Sequence, residues 1–546
     1  MKLKFNLKLA KILKKSGLVS EEIESNFGFY NDEREIIIDH KDLNEDFLVG
    51  LEKWAKANPK EEYANGIMQS MSMIKSIEKD VGGKFPKRLD ALEEAIKLWI
   101  AKDHINFYLY RVNDTGFSEP YLVTNVRYHP KTDKDVPAMV CVNMKYINQN
   151  REHTYTLSFY YDDLQMVDTV KELFSKNRFY HEDENMTKKY QSQIVKYKEM
   201  CTKFGVQYLA EGYGKGDHSV GISMTRDGKK AKVVQDFEMK DGLQSVYSNI
   251  TFWNFAKKEK NDDKSTIVPV HTWIKVFDLH VHKNFWCHVD NLTEYVYNPE
   301  LINLLILPEE IKEIVGILSE SVGENIEDII KGKSEGIFML LKGPPGTGKT
   351  LTAEVYSEVI KKPLYSVQSA QLGVDPLKLE ENLKNILGRA QAWGAILHID
   401  EVDVYMRERG DDLMQNAIVG VWLRTIEYYR GMLIATTNKD TAIDDAIKSR
   451  ANAIIQYPVP DENNARRIWN NLVDENSMKF SKGTIDYCIT RFPKITGRSM
   501  KNIVSLSKKL MKRKDVNEIT QEIVDLAAIY TYINGETKKL LTNKIK

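Results

Sequence analysis

The chain has 546 residues, room for three to four domains at about 150 residues each. Its 78 Lys and Arg balance 78 Asp and Glu, with 42% hydrophobic and 29% charged residues, so it reads as a folded globular protein and not as a polybasic nucleic-acid coat or a disordered tail. Four scattered cysteines (Cys141, Cys201, Cys287, Cys488) without a CxxC pair argue against a disulfide scaffold or zinc ribbon, and no run of 18 apolar residues exists to cross a membrane; a cytoplasmic protein without a membrane partner is expected.

The N-terminal stretch MKLKFNLKLAKILKKSG carries six Lys and no acid, lacks an uninterrupted apolar core, and reads as a solvated surface helix. Residues 1–103 are expected to be mostly helical, from apolar spacing around Asn65–Ile77 and Leu89–Ile100. From His104 the texture changes: INFYLYRV, PAMVCVNMKYI, TYTLSFYY and SVGISMT are rich in β-branched and aromatic residues and are separated by polar turns. Residues 104–290 therefore read as a β-rich accessory domain interrupted by a helix near Tyr190–Phe204. Within it, Gly212–Gly216 (GYGKG) reads as a turn. His271, His280, His282, Cys287 and His288 fall within 18 positions, but His280 and His282, two apart, are expected to share one strand face, and no acid-rich or CxxC partner makes a metal site.

Pro308-Glu309-Glu310 opens a helix, with Pro at the first helical position and acids at its positive end. Ile311, Ile314, Val315 and Leu318 mark its apolar face. Beyond it, short apolar strands alternate with amphipathic helices: Ile337–Leu341, Leu364–Val367, Ala395–Ile399, Met432–Ala435 and Ala453–Tyr457 are the strands. One intervening helix, Pro376–Trp393, keeps Leu379, Leu383, Ile386, Leu387 and Ala390 on one side. The fold class is α/β: a parallel sheet covered by helices, with functional loops at the C-terminal strand ends, preceded by an α+β region.

Gly343-Pro344-Pro345-Gly346-Thr347-Gly348-Lys349-Thr350, followed by Leu351, is a GxxxxGK[ST] phosphate loop between a strand and a helix. Its glycines let backbone N–H groups curl around phosphate oxygens, and the helix N-terminus adds a positive field. Lys349 is expected to reach the β and γ phosphates of ATP, and Thr350 to ligate Mg²⁺. The strand Ala395–Ile399 ends in Asp400 and Glu401, 51 positions past Lys349. Asp400 fits the Mg²⁺ carboxylate, Glu401 the group that polarises the attacking water, and Asp403 a structural role. The next strand ends in Thr436-Thr437-Asn438, and the Asn438 amide is suited to hold that water or the γ-phosphate.

This order of phosphate loop, DE-ended strand and Asn-ended strand resembles the AAA family of AAA+ ATPases over roughly residues 290–510. The texture is similar to a group of fungal and bacterial AAA-domain proteins, matched at Pro363–Val367, Leu372–Glu380, Trp393–Val404, Leu423–Asn438 and Asp444–Arg450. The resemblance implies a P-loop AAA+ core with a small helical lid. It also implies that Arg450 is an arginine finger reaching a neighbour's γ-phosphate, that Arg498 is a second sensor arginine, and that the chain assembles as a homo-oligomer, a hexameric ring. Ala453 stands where many members have a second finger, so one finger is expected; Arg424 and Arg430 are weaker candidates. The stretch Ser369–Pro376 lacks the aromatic with which threading members grip a chain, which weakens a threading role. Tyr405–Gly410, with a Tyr and two Arg, is a second pore-facing candidate. Lys508–Lys514 reads as a solvated basic helix end.

The expected organisation is 1–103 helical, 104–290 β-rich, 291–460 nucleotide-binding, 461–510 lid and 511–546 helical tail. The expected function is a Mg²⁺-dependent AAA+ ATPase that uses hydrolysis to remodel or disassemble a protein complex, with an unidentified protein client held through residues 1–290. A nucleic-acid motor or loader, and a slow ATP-dependent switch, are the alternatives; the neutral charge lowers the first, and intact Glu401 and Arg450 argue against a dead ATPase in the second.

Overall fold

The computed structural model describes residues 2–6, 9, 35–39, 45–59, 64, 67, 68 and 71, and then 87–531 except 103, 114–115, 132–136, 150, 216–221, 227, 238–266, 321–335 and 440–442. The chain divides into two units: Met1–Phe204 with Tyr208–Thr293, and Gly205–Gln207 with Glu294–Lys546.

In the first unit, Lys2–Asn6 is not a helix but a strand, paired antiparallel with Glu35–Asp39. The alternation Lys2-Leu3-Lys4-Phe5-Asn6 has the period of a strand, and its dense lysines hid it. Of the helical stretch expected at Asn65–Ile77, most lies outside the described residues. Leu89–Ala101 is helical and buries Leu92, Ile96, Trp99 and Ile100 against a five-stranded antiparallel sheet. The helix expected near Tyr190–Phe204 begins earlier and runs Glu184–Thr202, capped by the Asp183 side chain on Met186 N. A second sheet has the order Lys283–His288, Trp273–Asp278, Lys229–Gln235, Gln207–Ala210, Leu292–Glu294.

The histidine cluster serves this unit's packing. His280 and His282 sit in the turn between Trp273–Asp278 and Lys283–His288, not on a strand face, with His282 at φ +56°. His271 Nε2 lies 3.0 Å from the Pro120 carbonyl oxygen, and His288 Nε2 lies 3.0 Å from Thr272 Oγ1. Among the described residues no group of three His, Cys, Asp or Glu is placed to hold a metal. Burial is the largest influence on His288 and lowers its pKa from 6.5 to about 4. The unfolded chain thus binds a proton that the folded chain refuses, so stability rises with pH across this window and is lost as pH falls from about 6.5 toward about 4. That amounts to about 3 kcal/mol for this group at the acid end. Denaturant melts of the wild type and of a His288→Gln variant should diverge in slope against pH across this window; parallel slopes would show that His288 is not the group responsible.

The second unit contains the α/β core. The helix α1 is Glu309–Glu320; Val315 is fully buried, but Ile314 and Ile317 face outward, so the apolar face is narrower than the spacing implied. The strands are β1 (Ile337–Lys342), β2 (Leu364–Gln368), β3 (Ile396–Asp400), β4 (Met432–Thr437) and β5 (Ala453–Gln456). They form one parallel sheet in the order β2-β3-β4-β1-β5. Between them lie α2 (Lys349–Val359), α3 (Pro376–Trp393), α4 (Leu413–Ile426) and α5 (Asp445–Arg450). Local chemistry sets these boundaries. Asp375 caps α3 through Lys378 N, Pro376 opens it, and Gly394 at φ +61° ends it.

The lid follows as α6 (Glu462–Glu475), α7 (Thr484–Arg491), α8 (Gly497–Lys514) and α9 (Gln521–Thr531). Trp469, Met500, Ile503, Ile523 and Val524 share one core, so the lid's packing continues through α9, past residue 510. The basic end of α8 closes at Asp515 in a left-handed conformation, its lysines largely in solvent.

Candidate active site

The order of the strands makes β3, β4 and β1 the three central neighbours, so that the phosphate loop, the acids and the amide lie together at the C-terminal end of the sheet. The loop leaves β1, and its neighbour β4 is flanked by β3, so residues 343, 400–401 and 438 all follow C-terminal strand ends that lie side by side.

The loop needs its glycines. Gly343, Gly346 and Gly348 have φ of +153°, +82° and +102°. A side chain at Gly343 would meet the Tyr457 carbonyl at 2.4 Å, and one at Gly346 would meet Arg498 Cβ at 2.6 Å. The loop is therefore wedged between β5's continuation and the start of α8, with the Arg498 N–H 3.4 Å from the Gly346 carbonyl oxygen. Thr347 Oγ1 donates to the Pro344 carbonyl at 2.9 Å. Lys349 is buried and its Nζ donates to the carbonyls of Gly343 at 2.7 Å and Pro344 at 2.8 Å, so the loop curls around the ammonium. Burial lowers the Lys349 pKa most; the Asp400 charge opposes that, and the Arg498 charge adds to it. The charges of Asp400 and Arg498 thus both reach Lys349. Thr350 and Leu351 stand in the first turn of α2.

The acids are set by the neighbouring strand. Thr436 Oγ1 hydrogen-bonds Asp400 Oδ1, and the Glu401 N–H donates to the same oxygen at 3.1 Å. Thr437 Oγ1 hydrogen-bonds Asp403 Oδ1, and the Asp403 charge also reaches Lys349. Glu401 sits at φ +58°, a left-handed conformation that costs a non-glycine residue on the order of 1–3 kcal/mol. That turn takes the chain sharply off β3 and leaves the Glu401 carboxylate exposed. Asn438 follows β4 and is half-buried. One carboxylate beside a threonine and a phosphate cradle is the donor set that Mg²⁺ takes, because the ion keeps most of its shell as water and substrate oxygens. Asp400 and Thr350 would hold it, and the ion would neutralise charge on the β and γ phosphates.

Arg450 is placed differently. It ends α5; Nη1 donates to the Ala446 carbonyl and Nη2 to Glu427 Oε2, each at 3.3 Å. Asn452, two residues on, pairs with Phe338 at the beginning of β1. Gly343 lies five residues further along that strand, roughly 17 Å at the rise of a β-strand. Arg450 therefore sits toward the end of the sheet opposite its own phosphate loop. Arg424 is taken by Glu380 at 2.6 Å, a surface pair.

In the second pore-facing candidate, residues 405–410, the structure keeps residues 407–410 exposed and withdraws Tyr405. Tyr405 is buried in a one-turn helix, Asp403–Met406, and stacks on Trp422 with centroids 5.3 Å apart. Its hydroxyl lies 2.7 Å from the Ser369 carbonyl oxygen and 2.8 Å from that of Gly373. It therefore braces the loop 369–375 from inside. In that loop Leu372 is fully buried, and Val374 is the exposed apolar residue. Sequence reasoning also missed Arg409, whose guanidinium pairs with Asp444. The residues are 35 apart, and only the proximity of the two segments in the fold reveals the pair.

A parallel sheet in this order, with a glycine cradle after β1 and acids at the end of β3, defines a P-loop nucleoside triphosphatase fold. Residues 339–459 match the family model "ATPase family associated with various cellular activities (AAA)", so this part of the chain is an AAA ATPase domain. The chain is 27% identical over 195 residues to the uncharacterized AAA family ATPase y4kL of Sinorhizobium fredii, covering 34% of this chain and 59% of that protein. It is 26% identical over 218 residues to the ATP-dependent zinc metalloprotease FtsH 3 of Synechocystis, covering 37% and 34% of the two chains. The ATPase family AAA domain-containing protein FIGL1 of Arabidopsis thaliana is 24% identical over 223 residues, covering 38% and 33%. The match thus spans from a third to three fifths of these relatives' lengths.

Proposed function

We propose that the chain is a Mg²⁺-dependent ATPase of the cytoplasm that assembles as a homo-oligomeric ring, a hexamer, and uses hydrolysis to remodel or disassemble a protein complex. The observation that supports the ring is the position of Arg450: it is exposed at the end of α5, two residues before Asn452 pairs with the start of β1, about a strand's length from its own phosphate loop, so that a neighbouring subunit's pocket would give it a nucleotide to reach. Lys349 and the loop backbone bind the phosphates, Thr350 and Asp400 hold the ion, Glu401 takes the proton of the attacking water, and Asn438 orients that water. Arg498 carries the lid's charge to the same phosphates. Residues 1–290 hold the client. Among the described residues no helix is long and apolar enough to cross a membrane, and the four cysteines are free and buried, which supports a reducing, aqueous setting. The relatives' zinc-protease activity is not carried over, since the 546 residues contain no HExxH.

The test is the ATPase rate with and without single-stranded DNA, duplex DNA, RNA and an unfolded protein. Stimulation by the unfolded protein alone is the expected result. Stimulation by a nucleic acid alone would replace the remodelling reading with a nucleic-acid motor.

A further inference from the structure

The helix that bears Arg450 is only six residues long. A helix this short has little stability of its own, and its direction is set by what holds its ends. Its N-terminal anchor is Asp444, whose Oδ1 accepts the N–H of Ala446 at 3.0 Å. The Asp444 side chain is 5% exposed, so it meets almost no water and depends on protein partners. The chief one is Arg409, which grips both carboxylate oxygens: Nε to Oδ2 at 2.7 Å and Nη2 to Oδ1 at 3.2 Å. A two-toothed guanidinium contact fixes direction as well as distance, which a lysine cannot do. The pairing holds the Asp444 carboxyl below the usual range even though burial, the largest single influence, pushes it up.

Arg409 is not on a neutral piece of scaffold. It belongs to the segment that leaves β3 immediately after Asp400 and Glu401. One further backbone link ties that segment to the start of α5: the Asp444 N–H donates to the Met406 carbonyl at 3.0 Å, within an isolated antiparallel bridge between Arg407 and Ile443. The strand that carries the hydrolytic acids and the helix that carries the finger are thereby laced together.

We propose that Arg409 is a positioning residue for Arg450: by clamping Asp444 it aims α5, so that the acid-bearing strand of one subunit's pocket sets the finger offered to the next. This rests on the reading of Arg450 as acting in a neighbouring subunit. Arg409 acts through α5 and is not itself a catalytic residue in this proposal.

The test exploits the fact that a finger-positioning residue fails in trans. Arg409→Ala should keep nucleotide affinity and lower kcat on the order of 10- to 100-fold, the loss that misplacing a catalytic group by about 1 Å brings. Mixed with Lys349→Ala, which has a broken pocket and an intact finger, it should regain activity as Arg450→Ala does. Mixed with Arg450→Ala, it should show no gain over its own lowered rate, because both chains lack a well-aimed finger. Asp444→Asn gives an independent probe, since Asn caps a helix as well as Asp while the charge and one of the two acceptor oxygens that Arg409 grips are lost; it should follow the same pattern, and the double variant should be no slower than the slower single. If Arg409→Ala does not fold, Asp444→Asn carries the test alone. Unchanged kcat in the folded variants overturns the proposal. So does recovery with Arg450→Ala but not with Lys349→Ala, which would mean that Arg409 serves its own pocket. If Lys349→Ala and Arg450→Ala fail to restore each other in a control mixture of exchanging subunits, and activity falls only in proportion when either is titrated into wild type, the reading of Arg450 falls and this proposal with it; if that control recovers and the Arg409→Ala mixture does not, only this proposal falls.

Discussion

Glu401→Gln should bind Mg²⁺-ATP with near wild-type affinity and turn it over 10²–10⁴-fold more slowly, on the scale of a lost general base. The amide keeps the size and shape of the carboxylate and loses its basicity. Glu401 is exposed and sits at φ +58°, turned off the end of β3, while the phosphate loop is organised by Lys349 and its own carbonyls. Binding and turnover should therefore separate in this variant. In Lys349→Ala they should not. That change removes the cation facing the phosphates and also two charge-assisted hydrogen bonds that hold the Gly343 and Pro344 carbonyls, each worth about 1.5–3 kcal/mol. Nucleotide affinity should fall by orders of magnitude. Titrating a fluorescent ATP analogue and counting released phosphate would check both variants. Turnover by Glu401→Gln at the wild-type rate would remove Glu401 from the role of base.

How far the site was legible in the sequence follows from how local each part is. The phosphate loop is eight consecutive residues whose glycine positions are required by the loop's own backbone, so it reads directly from Gly343–Thr350. Asp400, Glu401 and Asn438 each terminate an apolar strand, and their juxtaposition follows once β3, β4 and β1 are taken as neighbours. What did not read were pairings between distant segments. Arg409 looks like a solvated loop charge until Asp444 is found beneath it. Tyr405 looks like a loop-tip aromatic, yet the one-turn helix after Asp403 rotates its ring onto Trp422. Thr436 and Thr437 pass for ordinary β-branched strand residues, and only the register of β4 beside β3 shows that their hydroxyls serve Asp400 and Asp403. In the first unit Lys2–Asn6 has the period of two that a strand requires, but its three polar positions out of five mask the pattern. At α1 the spacing gave the helix correctly, but burial of Ile314 depends on a neighbour that does not cover it.

Two inactive proteins should restore activity on mixing. Arg450→Ala alone should bind ATP and hydrolyse it about 10³-fold more slowly or worse, since an arginine finger is worth roughly 10³–10⁵ in rate in P-loop enzymes. The loss corresponds to at least about 4 kcal/mol of transition-state stabilisation. Against that stands the pair that holds Arg450 within its own chain. Arg450 and Glu427 are 36% and 37% exposed, and a pair so open to water contributes about 0–1 kcal/mol. The finger is thus free to leave Glu427 whenever a neighbour's γ-phosphate is within reach. Lys349→Ala is dead for a different reason: its pocket is broken while its finger is whole. In a mixed ring, some interfaces join the sound pocket of an Arg450→Ala chain to the sound finger of a Lys349→Ala chain, and those interfaces should hydrolyse ATP. Fluorescence transfer between two differently labelled chains would establish that subunits exchange. Free exchange with no recovery would mean that Arg450 does not work across an interface, or that every site in the ring must be sound at once. Titrating either variant into wild type separates these: activity falls in proportion to the variant's share when sites act independently, and collapses at a small share when the ring fires only as a whole.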